Sequence, residues 1–158
     1  MRSGVRLAFD VGKARIGVAR CDAEAILAVP VVTLKRDRYG GDIDEAAELV
    51  SEHGAIEAIV GLPVSLGGKR TPSTRDARDW ARALAQAISP VVVRLVDERL
   101  STVSAHQALH ASGRHEKDFR GIVDQAAAVV ILNQALEAER STGSPIGETV
   151  TPTRRDSR

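Results

Sequence analysis

The stretch Val5-Arg6-Leu7-Ala8-Phe9-Asp10-Val11-Gly12-Lys13-Ala14-Arg15-Ile16-Gly17-Val18-Ala19 decides how the rest of the chain is read. Val5, Leu7 and Phe9 alternate with Arg6, Ala8 and Asp10, the period of two that sorts residues onto the two faces of a strand. Gly12 to Arg15 reads as a turn, and residues 16–21 as a second strand returning antiparallel to the first. The first strand closes on an acid, Asp10. Burying a carboxylate without a partner costs on the order of several kcal/mol, comparable with the whole stability of a small domain.

Further acids share that predicament. Asp97 and Glu98 follow the apolar run Val91-Val92-Val93-Arg94-Leu95-Val96, and Asp124 interrupts Ile122-Val123-Asp124-Gln125-Ala126-Ala127-Ala128-Val129-Val130-Ile131-Leu132. If these acids converge, their mutual repulsion calls for a cation, and a divalent metal offsets it. An all-oxygen donor set favours Mg²⁺ or Mn²⁺ over zinc. Only one of the neighbours Asp97 and Glu98 can face such a site from a strand, and the pattern leaves open which.

The remaining elements follow from periodicity and breakers. Residues 31–34 suit a third strand, followed by a basic loop with Lys35, Arg36 and Arg38. Residues 42–53 suit a helix stopped by Gly54, and 56–60 a buried strand running into a Gly- and Pro-rich segment. Thr71-Pro72 is a good helix start, with Ala77, Trp80, Ala81, Leu84 and Ile88 as its buried stripe. Residues 91–96 read as a central strand covered on both faces. A helix beginning at Ser101 or Thr102 and another over 121–139 complete the pattern.

This order predicts an α/β fold: a mixed five-stranded sheet, three strands antiparallel and two parallel, flanked by helices in one domain over residues 1–140. From Ser141 onward composition without periodicity predicts a disordered tail, 141–158. The first strand and the 91–96 strand would run parallel near the centre. Their C-terminal ends would then share the edge where open α/β sheets place their sites. Asp124 would reach that edge from the last helix.

Composition bounds the function. The 158 residues are 43% apolar and 27% charged, the profile of a globular protein, without an apolar run of the ~20 residues a membrane span needs. No membrane partner and a cytoplasmic location are expected. Cys21 is the single cysteine, which excludes an intramolecular disulfide and a thiolate zinc site, and it is expected to be a buried, inert thiol. Net charge is only +1, yet 18 of the 22 basic residues are arginine, the side chain that clamps phosphate in two-pronged fashion. Lys13 and Arg15 beside Asp10, Lys69 and Arg70 before a helix start, and Arg99 are the candidate phosphate contacts. Aromatics are 3% of residues, which favours recognition of duplex or junction shape over stacking on unpaired bases. His106 and His110, four apart with no third ligand nearby, read as a helix face.

These motifs resemble a known family. The segment from Phe9 to Ala19 resembles the opening DxGxxRxG motif of the YqgF/RuvX family of ribonuclease H-like nucleases. Val60-Gly61-Leu62-Pro63, Asp97-Glu98-Arg99-Leu100-Ser101-Thr102 and Val123-Asp124-Gln125-Ala126-Ala127 are similar to its next three signatures, in order. The resemblance covers about residues 5–138. It implies a ribonuclease H-like fold and metal-dependent phosphodiester cleavage with Asp10, Glu98 and Asp124 as the acids. It also implies a structured nucleic acid as partner: precursor 16S ribosomal RNA at its 5′ end, or a Holliday junction. A monomer would serve for trimming, whereas a homodimer would suit symmetric junction cleavage. Asp10-Val11-Gly12 followed by Gly17 also resembles the first phosphate motif of actin-like ATPases and sugar kinases. Those proteins enclose a nucleotide between two such domains, and this chain has length for one. A non-catalytic nucleic-acid-binding module is a third reading, opposed by the presence of all three acids.

Overall fold

A computed structural model describes residues 1–63, 71–97 and 119–152, with backbone alone for 119–123. Strand β1 (Arg6–Val11) lies at the centre of the sheet. It pairs antiparallel with β2 (Arg15–Cys21), which pairs antiparallel with β3 (Ala28–Lys35). On its other side β1 pairs parallel with β4 (Glu57–Leu62), and β4 pairs parallel with β5 (Val92–Asp97). Helix α1 (Gly41–His53) links β3 to β4, α2 (Pro72–Ile88) precedes β5, and α3 is Phe119–Thr142. This is the mixed, helix-flanked sheet expected, with one strand more.

The addition is β6 (Glu148–Val150), antiparallel to β5, giving the order β3-β2-β1-β4-β5-β6. The expectation of an unstructured tail from Ser141 therefore fails over these residues. Three residues are too few to show a period, and the pairing rests on long-range contacts: Val150 is buried in the main core, and Arg78 of α2 forms an ion pair with Glu148. Gly147 sits at φ 96°, and a side chain there would strike the Leu95 carbonyl, so the strand enters on a glycine.

Strand alternation divides the core into two layers. Leu7, Phe9 and Val11 of β1 pack with Val50, Trp80 and Leu84 against α1 and α2. Ala8 faces the opposite way, with Ala19, Cys21 and Ala28, against Ala128, Ile131, Leu132, Ala135 and Leu136 of α3. Where β1, β2 and β3 lie beneath α3 the apolar side chains are small, which lets the helix settle close, while Ile59 of β4 and Val96 of β5 are the larger members of this layer. Cys21 is fully buried in that layer, as expected. Helix ends follow local chemistry: Gly54 at φ 58° closes α1, and Thr71 and Thr74 form a capping box ahead of α2, with Thr74 also bonding the Pro63 carbonyl.

On the α3 face β1 carries Arg6 as well as Ala8 and Asp10. Arg6 is 0% exposed and pairs with Glu139, near the end of α3, at 3.1 Å. Arg2 reaches both Glu139 and Glu57, and Arg94 also pairs with Glu57. Hydrogen bonds from Arg2, helped by the charge of Arg6, hold the Glu139 carboxyl down at about 2 against an ordinary 4.5. A depressed carboxyl stabilises the fold above its unfolded-state value and loses that contribution as pH falls from 4.5 towards 2. Arg2 is part-exposed, which screens the pair, so Glu139→Gln is expected to cost about 2–3 kcal/mol at pH 7. Urea unfolding from pH 7 to 3 should show the wild type losing this increment and the variant not.

Candidate metal and nucleic-acid site

Asp10 is the last α3-facing residue of β1 before the turn, and it is 9% exposed. Its antiparallel partner on β2 is Gly17. Paired residues point to the same face, so a side chain at Gly17 would project beside Asp10 towards α3. There is no room for one: a Cβ there would lie 1.9 Å from the backbone oxygen of Asp124 and 2.6 Å from the nitrogen of Gln125. The first turns of α3 therefore rest directly on the bare backbone of β2. The two acids, 114 positions apart in sequence, border the same glycine. The close approach that this glycine permits is made by the protein's own helix.

Arg15, at the start of β2, donates from Nε to Asp124 Oδ2 at 3.0 Å. The Asp124 side chain is 17% exposed and that of Arg15 37%. Burial lifts the Asp124 carboxyl above its ordinary value, and the Arg15 bond and charge only partly oppose this. Gln125 donates to Thr33 Oγ1 at 2.8 Å, tying the same turn of α3 to β3. Lys13 is exposed at the tip of the β1–β2 turn, which Gly12 closes by donating to the Arg15 carbonyl at 2.8 Å.

Arg36 holds the turn from the other layer. Its Nη1 donates to the Gly12 carbonyl at 2.8 Å, its two Nη groups fork onto Asp76 at 2.7 and 2.9 Å, and its Nε lies 3.2 Å from Asp42. Asp42, buried at 3% exposure, also accepts from Trp80 Nε1 at 3.0 Å. Hydrogen bonding from Arg36 holds the Asp76 carboxyl below its usual range. The basic cluster of Lys35, Arg36 and Arg38 is therefore not a uniform phosphate patch: Arg36 is a bolt between β3, α1, α2 and the turn. Two of its partners lie 24 and 40 positions away, beyond the reach of any local pattern.

Asp97 ends β5, level with Leu62 of β4. It shares strand parity with Val93 and Leu95, which face the α1–α2 layer, whereas Val96 faces α3. Asp97 thus has the parity of the face opposite Asp10. Glu98, Arg99, Lys69 and Arg70 lie outside the described residues, as do His106, His110 and the helix expected from Ser101. Among the described residues no three potential ligands gather. Asp10 lies at the C-terminal end of β1, and the Asp124 backbone packs on Gly17, the strand partner of Asp10. The oxygen-only chemistry of these two acids fits a hard divalent ion such as Mg²⁺ or Mn²⁺.

The model of the family described as "RuvX: Holliday junction resolvase" matches residues 4–138. The chain belongs to the RuvX family. It is 53% identical to a Streptomyces coelicolor protein over 95% of this chain and 90% of that one, and 52% identical to one from Clavibacter sepedonicus over 99% and 97%. Both relatives carry the name "Putative pre-16S rRNA nuclease". Among solved structures, RuvC of T. thermophilus in complex with a Holliday junction substrate superposes with a TM-score of 0.55, covering 90% of this chain and 99% of that one. At 16% identity that likeness is one of fold, and it agrees with the ribonuclease H-like sheet expected for a RuvX protein.

Two variants separate packing from charge at this site. Gly17→Ala drives a methyl into the α3 backbone and is expected to destabilise by about 1–3 kcal/mol or more. Asp124→Asn removes a carboxyl whose raised pKa works against the folded state once pH exceeds its folded-state value, and not below the unfolded-state 3.8. With chelator at neutral pH, calorimetry should show Gly17→Ala melting well below wild type and Asp124→Asn melting no lower.

Proposed function

We propose that this protein is a metal-dependent endonuclease of structured nucleic acid, acting on precursor 16S ribosomal RNA near its 5′ end. The observation that supports the reading is the packing of the Asp124 backbone on Gly17, the strand partner of Asp10, in a chain whose relatives at about half identity bear a pre-16S rRNA nuclease name. Mg²⁺ or Mn²⁺ would be held by Asp10, Asp124 and Glu98. The wrong parity of Asp97 favours Glu98 as the third acid from the β5 end. When bound, the metal supplies an acidified water and neutralises charge on the phosphodiester.

The protein's own groups do the rest. Asp10 sits on a central strand and Asp124 on a helix pinned to the sheet, so neither carboxylate needs to reorganise during the reaction. Lys13 and Arg15 flank them with positive charge from the β1–β2 turn, and Lys69, Arg70 and Arg99 are the further candidates for backbone phosphates. Scarce aromatics support reading the substrate by shape and phosphate geometry. The family's own description favours a second substrate, the four-way DNA junction, for which a homodimer would cut two strands symmetrically. A cytoplasmic location follows from either substrate.

The test is cleavage of precursor ribosomal RNA and of a synthetic four-way junction at one salt concentration, with Mg²⁺ or Mn²⁺ and with chelator. Asp10→Asn should lower the rate by more than about 100-fold, the upper end of what losing an outer-shell metal partner costs. Equal activity of the two proteins, or cleavage that survives chelation, would overturn the catalytic assignment. Preference between the substrates, read in the same assay, decides between RNA and junction.

A further inference from the structure

Two arginines lean on the β1–β2 turn, and their bonds differ in kind. Arg36 is committed on every side: a forked pair with Asp76, a carbonyl of the turn and the buried Asp42. Arg15 makes one end-on bond, from Nε to a single oxygen of Asp124, and is the more exposed of the two, at 37% against 23%. That bond leaves Asp124 Oδ1 and both Nη groups of Arg15 outside it. Forked arginine–carboxylate pairs are the strong ones, and a single bond at a part-exposed site is worth little more than about 1 kcal/mol. Arg36 is built to stay, whereas Arg15 is built to let go.

We infer that Arg15 is a placeholder cation: it occupies Asp124 while no metal is bound, yields that carboxylate to the incoming metal, and then turns its guanidinium to the substrate phosphate. This rests on the metal-site reading above and adds a positioning role for Arg15. The backbone favours the exchange. Asp124 is fixed by the seating of α3 on Gly17 and by the Gln125–Thr33 bond, so losing Arg15 does not release the helix. The arginine, at the start of β2 beside the turn, needs only side-chain rotation to leave. A guanidinium and a divalent ion cannot both hold one half-buried carboxylate closely without repelling each other.

The experiment measures Mn²⁺ binding by calorimetry to metal-free, full-length protein, for wild type, Asp10→Asn, Arg15→Gln, Arg15→Lys and Lys35→Gln. Lys35 is the strand partner of Arg15 on β3 and exposed, so its variant controls for one lost charge in the same place. If Arg15 competes with the metal, Arg15→Gln should bind Mn²⁺ about threefold to tenfold more tightly than wild type, the worth of one such bond. Lys35→Gln should stay within about twofold, since its charge is solvated and screened. Arg15→Lys, which restores the charge, should return towards wild type. With Ca²⁺ in place of Mn²⁺, Arg15→Gln should weaken binding of a four-way junction more than it does in chelator. Equal or weaker Mn²⁺ binding by Arg15→Gln, or an equal gain in Lys35→Gln, overturns the placeholder role while leaving the metal site standing. Loss of folding in Arg15→Gln likewise makes the arginine structural and overturns it. Wild-type protein that binds no Mn²⁺, or binds it no better than Asp10→Asn, removes the metal site and the placeholder together.

Discussion

The seating of α3 on the bare backbone of Gly17 is the contact on which the rest of the site depends. It sets how near the helix comes to β2 and which residue of the helix lies against the partner of Asp10. At the other end Arg6 grips Glu139 from the same strand face that carries Asp10. Fifteen helical residues, about 22 Å, separate Asp124 from Glu139. Two contacts so far apart fix both the height and the register of a helix. A slide by one residue would break the buried ion pair and move Asp124 off Gly17 and Arg15.

Close packing explains why the layer beneath α3 is poor in large side chains. Ala8, Ala19, Cys21 and Ala28 supply most of the sheet side of that core, with Ile59 and Val96 from β4 and β5, and the helix supplies bulk with Ile131, Leu132 and Leu136. The opposite layer is built the other way, with Phe9 and Trp80 at a ring separation of 5.3 Å. The asymmetry places Asp10 and the Asp124 turn of α3 on the thin side of the sheet. There a helix dipole and backbone can approach a strand-end carboxylate closely.

Much of this was legible in the chain. Alternation in residues 5–11 fixes which face each β1 side chain takes, and the parallel run ending at Val96 follows from its unbroken apolar character. Asp10 and Asp124 announce themselves because an acid is out of place in such surroundings. What escaped was whatever depended on partners far away in sequence. Arg36 reads as one of several loop cations until Asp42 and Asp76 arrive from two helices. Strand β6 has too few residues to carry a period, and its pairing is decided by β5. Gly17 announces a close approach, but nothing local says that the visitor is Asp124.

The two acids of α3 show how one helix serves stability and chemistry at opposite ends. Glu139 lies between two arginines, whose bonds overcome its burial and hold it ionised far below its usual pKa. Asp124 has one arginine on one oxygen, which does not overcome burial, so its carboxyl is lifted instead. The first arrangement is finished: its charges are matched, and adding a cation would disturb it. Among the described residues the second has less positive charge around it, since the other arginine bonded to the turn, Arg36, faces the opposite layer. A half-buried acid with one end-on arginine costs some folding free energy, and a cation that pairs with it recovers part of that cost. That is the physical sense in which the Glu139 end of the helix is a clasp, while the Asp124 end keeps a carboxylate with room for a further cation.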